Sequence, residues 1–282
     1  MWPSLDWKSY ELVDASHGAR LERWSEYYLV RPDPQVIWQG AREHARWGNP
    51  HAAYAHGDGG QGSWNKHKLP PSWLMDYKDL RFECRPMSFK HTGLFPEQAS
   101  NWDTLRALIA GKPKTVLCLF AYTGAATVAA AKAGAKVTHV DASKGIVDWA
   151  KKNAALNGVS ARFLVDDCVK FAERERRRGS KYHGVVLDPP SYGRGPRGEI
   201  WKLEDSLHNL LCLIADILRA RDSFVLVNSY TAGVTPSTLE YLLSSVFTPR
   251  FGGSAHAGEL GLPVKTTGLY LPCGATGKWI HS

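Results

Sequence analysis

The chain has 282 residues, 44% of them hydrophobic and 22% charged, a balance that excludes a disordered or fibrous protein. Its formal charge of +8 favours polyanionic partners such as nucleic acid without requiring one. The five cysteines are far apart and show no CxxC or zinc-finger spacing, so neither a disulfide framework nor a metal is expected.

Residues 1–10 carry no basic stretch followed by an apolar one, and the most apolar run, 116–131, is broken by Tyr122, Thr123 and Gly124. It falls short of the ~18–20 residues a membrane span needs, so no membrane is expected and the compartment is taken as cytoplasmic, or an organellar matrix if a leader has been removed. Residues 1–90 are aromatic and irregular, with short strand-like runs at 10–13, 27–30 and 80–84, and read as a small β-rich domain. Within it, 51–68 is rich in Gly and His and is expected to be one long exposed loop.

Residues 91–282 change texture: strands at 115–120, 136–141, 162–165, 184–188 and 224–228 alternate with amphipathic helices. Ile146, Trp149, Ala150 and Ala154 form one helical stripe; Leu207, Leu210, Leu211, Ile214 and Leu218 form another. Strand–helix alternation predicts an α/β fold with a doubly wound, mostly parallel sheet. The charge run 173–181 reads as a solvated helix end.

In such a sheet, ligands sit beyond the carboxyl ends of the strands, so the strand ends carry the information. The first ends in "FAYTG", Phe120, Ala121, Tyr122, Thr123 and Gly124, where a single glycine replaces the G-x-G-x-x-G of a dinucleotide site. A nucleoside ligand without phosphates, such as S-adenosylmethionine, tolerates those bulkier residues. Asp141, seventeen residues past Gly124 and followed by Ala142 and Ser143, stands where an acid accepts the hydroxyls of an adenosine ribose; helix capping is the competing role. The third strand ends in Asp166 and Asp167, of which one can accept from the adenine amino group while the other caps the next helix; Asp167 is assigned to the adenine.

The fourth strand releases Asp188 and stops at Pro189 and Pro190, followed by Ser191 and Tyr192. Two fixed φ angles make this corner stiff. Asp188 and nearby carbonyls can then face a planar amino-bearing ring while Tyr192 offers a stacking surface.

The succession "LFAYTG", "VDAS", "VDDC" and "DPPSYGRG" resembles class I S-adenosylmethionine-dependent methyltransferases, and more narrowly the bacterial large-subunit ribosomal RNA methyltransferases and their uncharacterised relatives. The likeness runs over about residues 82–279 and includes "TGLFPEQ". It implies a Rossmann-like methyltransferase sheet, S-adenosyl-L-methionine as cofactor, and RNA as partner, ribosomal RNA above all, presented single-stranded or with a flipped-out base. It further implies a cofactor pocket of Thr92, Phe95, Gln98, Phe120 to Gly124, Asp141 to Ser143, Asp167, Cys168 and Asp188, with Asp188, Pro189, Pro190 and Tyr192 as the acceptor-side residues. Arg194 and Arg197 are expected near phosphates. Relatives that methylate cytosine C5 need a thiolate after the fifth strand, and "FVLVNSYTAG" has none, so a base nitrogen is the expected acceptor. Two rival functions remain: a catalytically silent RNA-binding assembly factor, and a small-molecule or protein methyltransferase on the same fold.

Overall fold

Short apolar runs become parallel strands here because both faces are covered, a setting that suits branched side chains on a pleated surface. Residues 1–56, 62–65, 68–112, 114–194 and 200–281 are described by a computed structural model. Strands β1 (Thr115–Leu119), β2 (Lys136–Asp141), β3 (Arg162–Val165) and β4 (Gly184–Leu187) are followed by a small hairpin, β5 (Tyr192–Arg194) and β6 (Ile200–Lys202), and then by β7 (Ser223–Ser229), β8 (Ser254–Pro263) and β9 (Tyr270–His281). The main sheet runs β3-β2-β1-β4-β7-β9-β8; its first four pairings are parallel, and β9 lies antiparallel to β7. Six helices intervene: α1 (Ala99–Ile109), α2 (Ala125–Lys132), α3 (Lys144–Leu156), α4 (Cys168–Arg177), α5 (Leu203–Ile217) and α6 (Pro236–Phe251).

The two-residue period of a strand sorts its side chains to opposite faces. Leu117, Leu119, Val185, Leu187, Val225 and Val227 join Phe171 of α4, Ile214 of α5 and Phe247 of α6 in one core. Val116, Cys118, Val186 and Leu226 point the other way, to Leu105 and Ile109 of α1 and Ala130 of α2. Each fully covered Val or Leu contributes about 1.5–3 kcal/mol. The strands expected at 115–120, 136–141, 162–165, 184–188 and 224–228 appear within one residue of their places, and the α/β, doubly wound architecture stands. The charge run is a helix end whose ions are locally matched: Arg174 pairs with Asp166, Arg176 with Asp216 at 3.6 Å, and Arg178 with Glu175 at 2.9 Å.

By contact density the chain divides into two units, one comprising Met1, Asn101–Glu259 and the residues from Gly274 on, the other Trp2–Ser100 with Leu260–Cys273. In this division residues 91–100 and the later segment Leu260–Cys273 go with the amino-terminal strands. Its backbone explains why. Val264 bridges Leu12, the Lys265 and Thr266 amides donate to the carbonyls of Leu12 and Val13, and Trp2–Pro3 pairs with Leu260 and Gly261.

The amino-terminal unit holds a five-stranded sheet (Tyr10–Ser16, Ala19–Trp24, Tyr27–Pro32, Ala52–His56, Gly62–Asn65) and a hairpin of Trp73–Tyr77 with Leu80–Cys84. Region 51–68, expected as one loop, thus supplies two paired strands; Tyr54 packs edge-on against Trp64 at 5.5 Å, while 57–61 and 66–67 lie outside the described residues. Buried among these strands, the Glu22 carboxylate accepts from Arg31 Nε at 2.5 Å, Arg31 Nη2 at 2.7 Å and the Tyr10 hydroxyl at 2.8 Å.

Candidate functional site

Between β1 and β4 the order of strands reverses, so the chain leaves these neighbours in opposite directions and opens a crevice at their carboxyl ends. The turn after β1 is tightly specified. Phe120, Tyr122 and Gly124 all have positive φ, 53°, 49° and 86°. For the two aromatic residues this is an unfavourable conformation that persists only where neighbours hold it.

Three elements, β2, α3 and α4, do the holding. The Phe120 amide donates to Cys168 Sγ at 3.1 Å, the Ala121 amide to the Val140 carbonyl at 3.2 Å, and the Tyr122 amide to Asp141 Oδ2 at 3.0 Å. Thr123 is buried, and its carbonyl accepts from Asn153 Nδ2 of α3 at 2.9 Å. At Gly124 a Cβ would stand 2.9 Å from the Ala150 Cβ, so the missing side chain lets α3 close against the start of α2.

Asp141 ends β2 half-buried. Its Oδ2 holds Tyr122 and its Oδ1 accepts from the Ser143 amide at 3.0 Å, so one carboxylate ties the β1 turn to its own loop. Burial raises its carboxyl above the ordinary value against the pull of those two amides. Each oxygen keeps lone-pair capacity for an outside hydroxyl. Ala142 and Ser143 are exposed; Ser143 is the residue before α3 and makes no side-chain cap.

At the end of β3 the expected division of labour changes. Asp167 itself caps α4, its Oδ1 accepting from the Lys170 amide at 2.8 Å, whereas Asp166 is paired with Arg174. The cap therefore falls to the residue assigned to the adenine, and one of its oxygens is committed. Cys168 is 4% exposed, with Sγ between the Phe120 amide and, at 3.6 Å, the Val140 carbonyl. Burial pushes its thiol well up, which suits a brace of the β1 turn better than a nucleophile.

Asp188 is half-buried at the tip of β4, and its amide reaches the Leu119 carbonyl of β1 at 3.4 Å. Pro189 is buried and Pro190 exposed. The Pro190 carbonyl, expected to face a ligand, accepts instead from Trp201 Nε1 at 2.7 Å, and the Ser191 carbonyl accepts from the Leu203 amide at 3.0 Å. Both bonds fasten the corner to β6 and α5. Trp201 also lies 5.5 Å from the Phe120 ring. Tyr192 is 50% exposed on β5. Thr231 Oγ1, just past β7, donates to Ser191 Oγ at 2.6 Å, which brings the β7 end to the same corner.

Trp201 and Thr231 are site residues the sequence reasoning missed. No spacing rule connects Trp201 to a proline carbonyl eleven positions back. Arg197 lies outside the described residues. Thr92, Phe95 and Gln98 belong to the amino-terminal unit. There Thr92 is fully buried, its hydroxyl without a hydrogen-bond partner among the described residues; Phe95 precedes a 3-10 turn over Pro96–Gln98, and Gln98 is 7% exposed.

This arrangement is a known one. The sequence matches the family model of S-adenosylmethionine-dependent methyltransferases over residues 60–225. The chain belongs to that family. A ribosomal RNA large subunit methyltransferase K/L of Alteromonas mediterranea is 40% identical over 120 residues, covering 42% of this chain and 16% of the relative. That of Shewanella frigidimarina is 33% identical over 156 residues, covering 53% and 21%. The chain thus spans about a fifth of these relatives. A solved S-adenosylmethionine-dependent methyltransferase of Agrobacterium tumefaciens superposes with a TM-score of 0.91 at 35% identity, covering 99% of this chain and 93% of its own.

The methyltransferase uses S-adenosylmethionine, and the residues present suit it. The β1 turn has one glycine rather than a phosphate-cradling run, and the doubly anchored Asp141 carboxylate keeps lone-pair capacity at the strand end. Among the described residues there is no cluster of three or more His, Cys, Asp or Glu that could hold a metal, and no helix long and apolar enough to cross a membrane.

Proposed function

We propose that this methyltransferase modifies RNA, ribosomal RNA being the substrate class, at a base nitrogen. The observation that carries the reading is the corner Asp188 to Tyr192, fastened by Trp201, Leu203 and Thr231 at the strand-order reversal, with a half-exposed aromatic ring four residues past a half-buried carboxylate. A planar base with an amino group meets both needs of that corner, stacking and hydrogen bonding. The names of the curated relatives and the chain's positive charge agree with it.

In this reading Asp141 accepts the ribose hydroxyls, and the free oxygen of Asp167 accepts the adenine amino group. When bound, S-adenosylmethionine supplies an electrophilic methyl on a good leaving group, so the chain has to align and desolvate the acceptor. Asp188 accepts hydrogen bonds from the acceptor amino group and orients it, Tyr192 stacks on the base, and the two prolines keep both in register. A base inside a helix cannot enter such a corner, which implies a single-stranded or extruded nucleotide.

The residues at the end of β7 support a nitrogen acceptor over cytosine C5. Ser229 and Tyr230 stand there, and Cys168 is held as a buried brace of the β1 turn, so this edge offers no thiolate for addition to a pyrimidine ring.

Transfer of labelled methyl to RNA lacking the modification is expected, followed by release of an N-methylated nucleoside on digestion. Asp188→Ala should lower the rate by at least 100-fold while leaving the circular dichroism spectrum unchanged. Full activity in that variant, or label on carbon 5 of a pyrimidine, would overturn the assignment.

A further inference from the structure

Parallel strands put all their amino ends on one edge, opposite Asp141 and Asp188. There the bases of β2, β3 and β4 enclose a groove of about 590 Å³ whose lining includes Lys136, Thr138, Arg162, Glu175, Lys181 and Tyr182. At ~3.3 Å per residue, β2 separates this groove from the Asp141 edge by roughly 20 Å.

Its charges are unbalanced. Lys136 and Arg162, the first residues of β2 and β3, are exposed and make no ion pair among the described residues. Lys181 Nζ reaches only a neutral group, the Asp216 carbonyl, at 2.7 Å. The carboxylate in the lining, Glu175, is 3% exposed and already engaged by Arg178 at 2.9 Å and the Tyr182 hydroxyl at 2.9 Å. The lining therefore carries three cationic residues, two of them exposed and without an ion pair among the described residues, against one acid that is spent on its own wall. Concave, low-dielectric surroundings concentrate such a field and favour an anion. The volume exceeds that of a single small ion and falls within the range of nucleotide-sized ligands.

We propose that this groove is a phosphate-binding subsite that grips the RNA backbone away from the methyl-transfer edge. The proposal rests on the RNA reading above. Its lining offers charge and hydroxyls, with no exposed ring, so it positions RNA and carries no base selectivity. A small phosphate compound has the same chemistry and is separated by the test.

Binding of single-stranded RNA of about 12 nucleotides, a length within the range such surfaces cover, is measured by fluorescence anisotropy over a series of salt concentrations. The double variant Lys136→Ala, Arg162→Ala should bind more weakly and with a salt slope smaller by about 1.4, at about 0.7 per single-strand phosphate contact. Affinity for S-adenosylhomocysteine should be unchanged, which shows the fold intact. An unchanged slope, with wild-type RNA binding present, would overturn the subsite. If the wild type binds no RNA, the RNA reading fails by itself and titration with pyrophosphate decides. Affinity lost in the double variant keeps the groove as a phosphate site for a small molecule; no pyrophosphate binding by the wild type removes it.

Discussion

Asp141 ties two loops with one carboxylate: it pins a strained turn through Tyr122 and holds the Ser143 amide of its own loop. On the proposed reading, Asp141→Ala removes a ligand contact and a brace together. Hydrogen bonds to a charged group contribute ~1.5–3 kcal/mol, so calorimetry should show S-adenosylmethionine affinity reduced by roughly 10- to 100-fold. Asp141→Asn keeps one acceptor and should lose less; equal affinity in wild type and Asp141→Ala would remove the ribose assignment. The position of Asp141 was legible from sequence because an acid there ends an apolar run, while helix capping competed for its role. The capping role of Asp167 was not, since Asp166 and Asp167 are adjacent and only the geometry of α4 separates them.

The parallel strands were the easiest elements to read. "TVLCL" and "GVVL" are buried on both faces, which leaves an unbroken apolar signal. The amino-terminal sheet hides its strands for the opposite reason. In Ala19–Trp24 the residues Arg20 and Glu22 are buried, at 7% and 0% exposure, so a charge pattern that suggests a surface loop belongs to a core strand. Pairing makes this tolerable. Burial pushes the Glu22 carboxyl up, but the Arg20 and Arg31 guanidiniums and the bonds from Arg31 and Tyr10 outweigh it and hold its pKa at about 2. A carboxyl depressed in the folded state stabilises above its unfolded pKa, and the contribution fades as pH falls from about 4.5 towards about 2. Glu22→Gln leaves Arg31 buried and uncompensated and should cost about 3–5 kcal/mol at neutral pH. Denaturant titrations between pH 7 and pH 2 check both points: the variant should start lower and lose less on acidification. Matching stability at pH 7 would show the pair to be unimportant.

For the molecule as a whole, strand order converts scattered residues into one edge. Reversal between β1 and β4 places the turn Phe120 to Gly124 next to Asp188, a relation that no local motif expresses although each piece was visible in the sequence. The division into units was less legible, because Leu260–Cys273 joins the amino-terminal strands through backbone bonds to residues some 250 positions earlier. Distant pairing of that kind leaves no periodic trace. The central claim, that the carboxyl edge of β1, β2 and β4 seats the cofactor beside the Asp188 corner, is tested most directly by a crystal structure of the chain with S-adenosylhomocysteine. The account predicts ribose hydroxyls on the Asp141 carboxylate and the sulfur facing Asp188 and Tyr192. A ligand bound away from Asp141, or with its sulfur turned from the Asp188 corner, would contradict it.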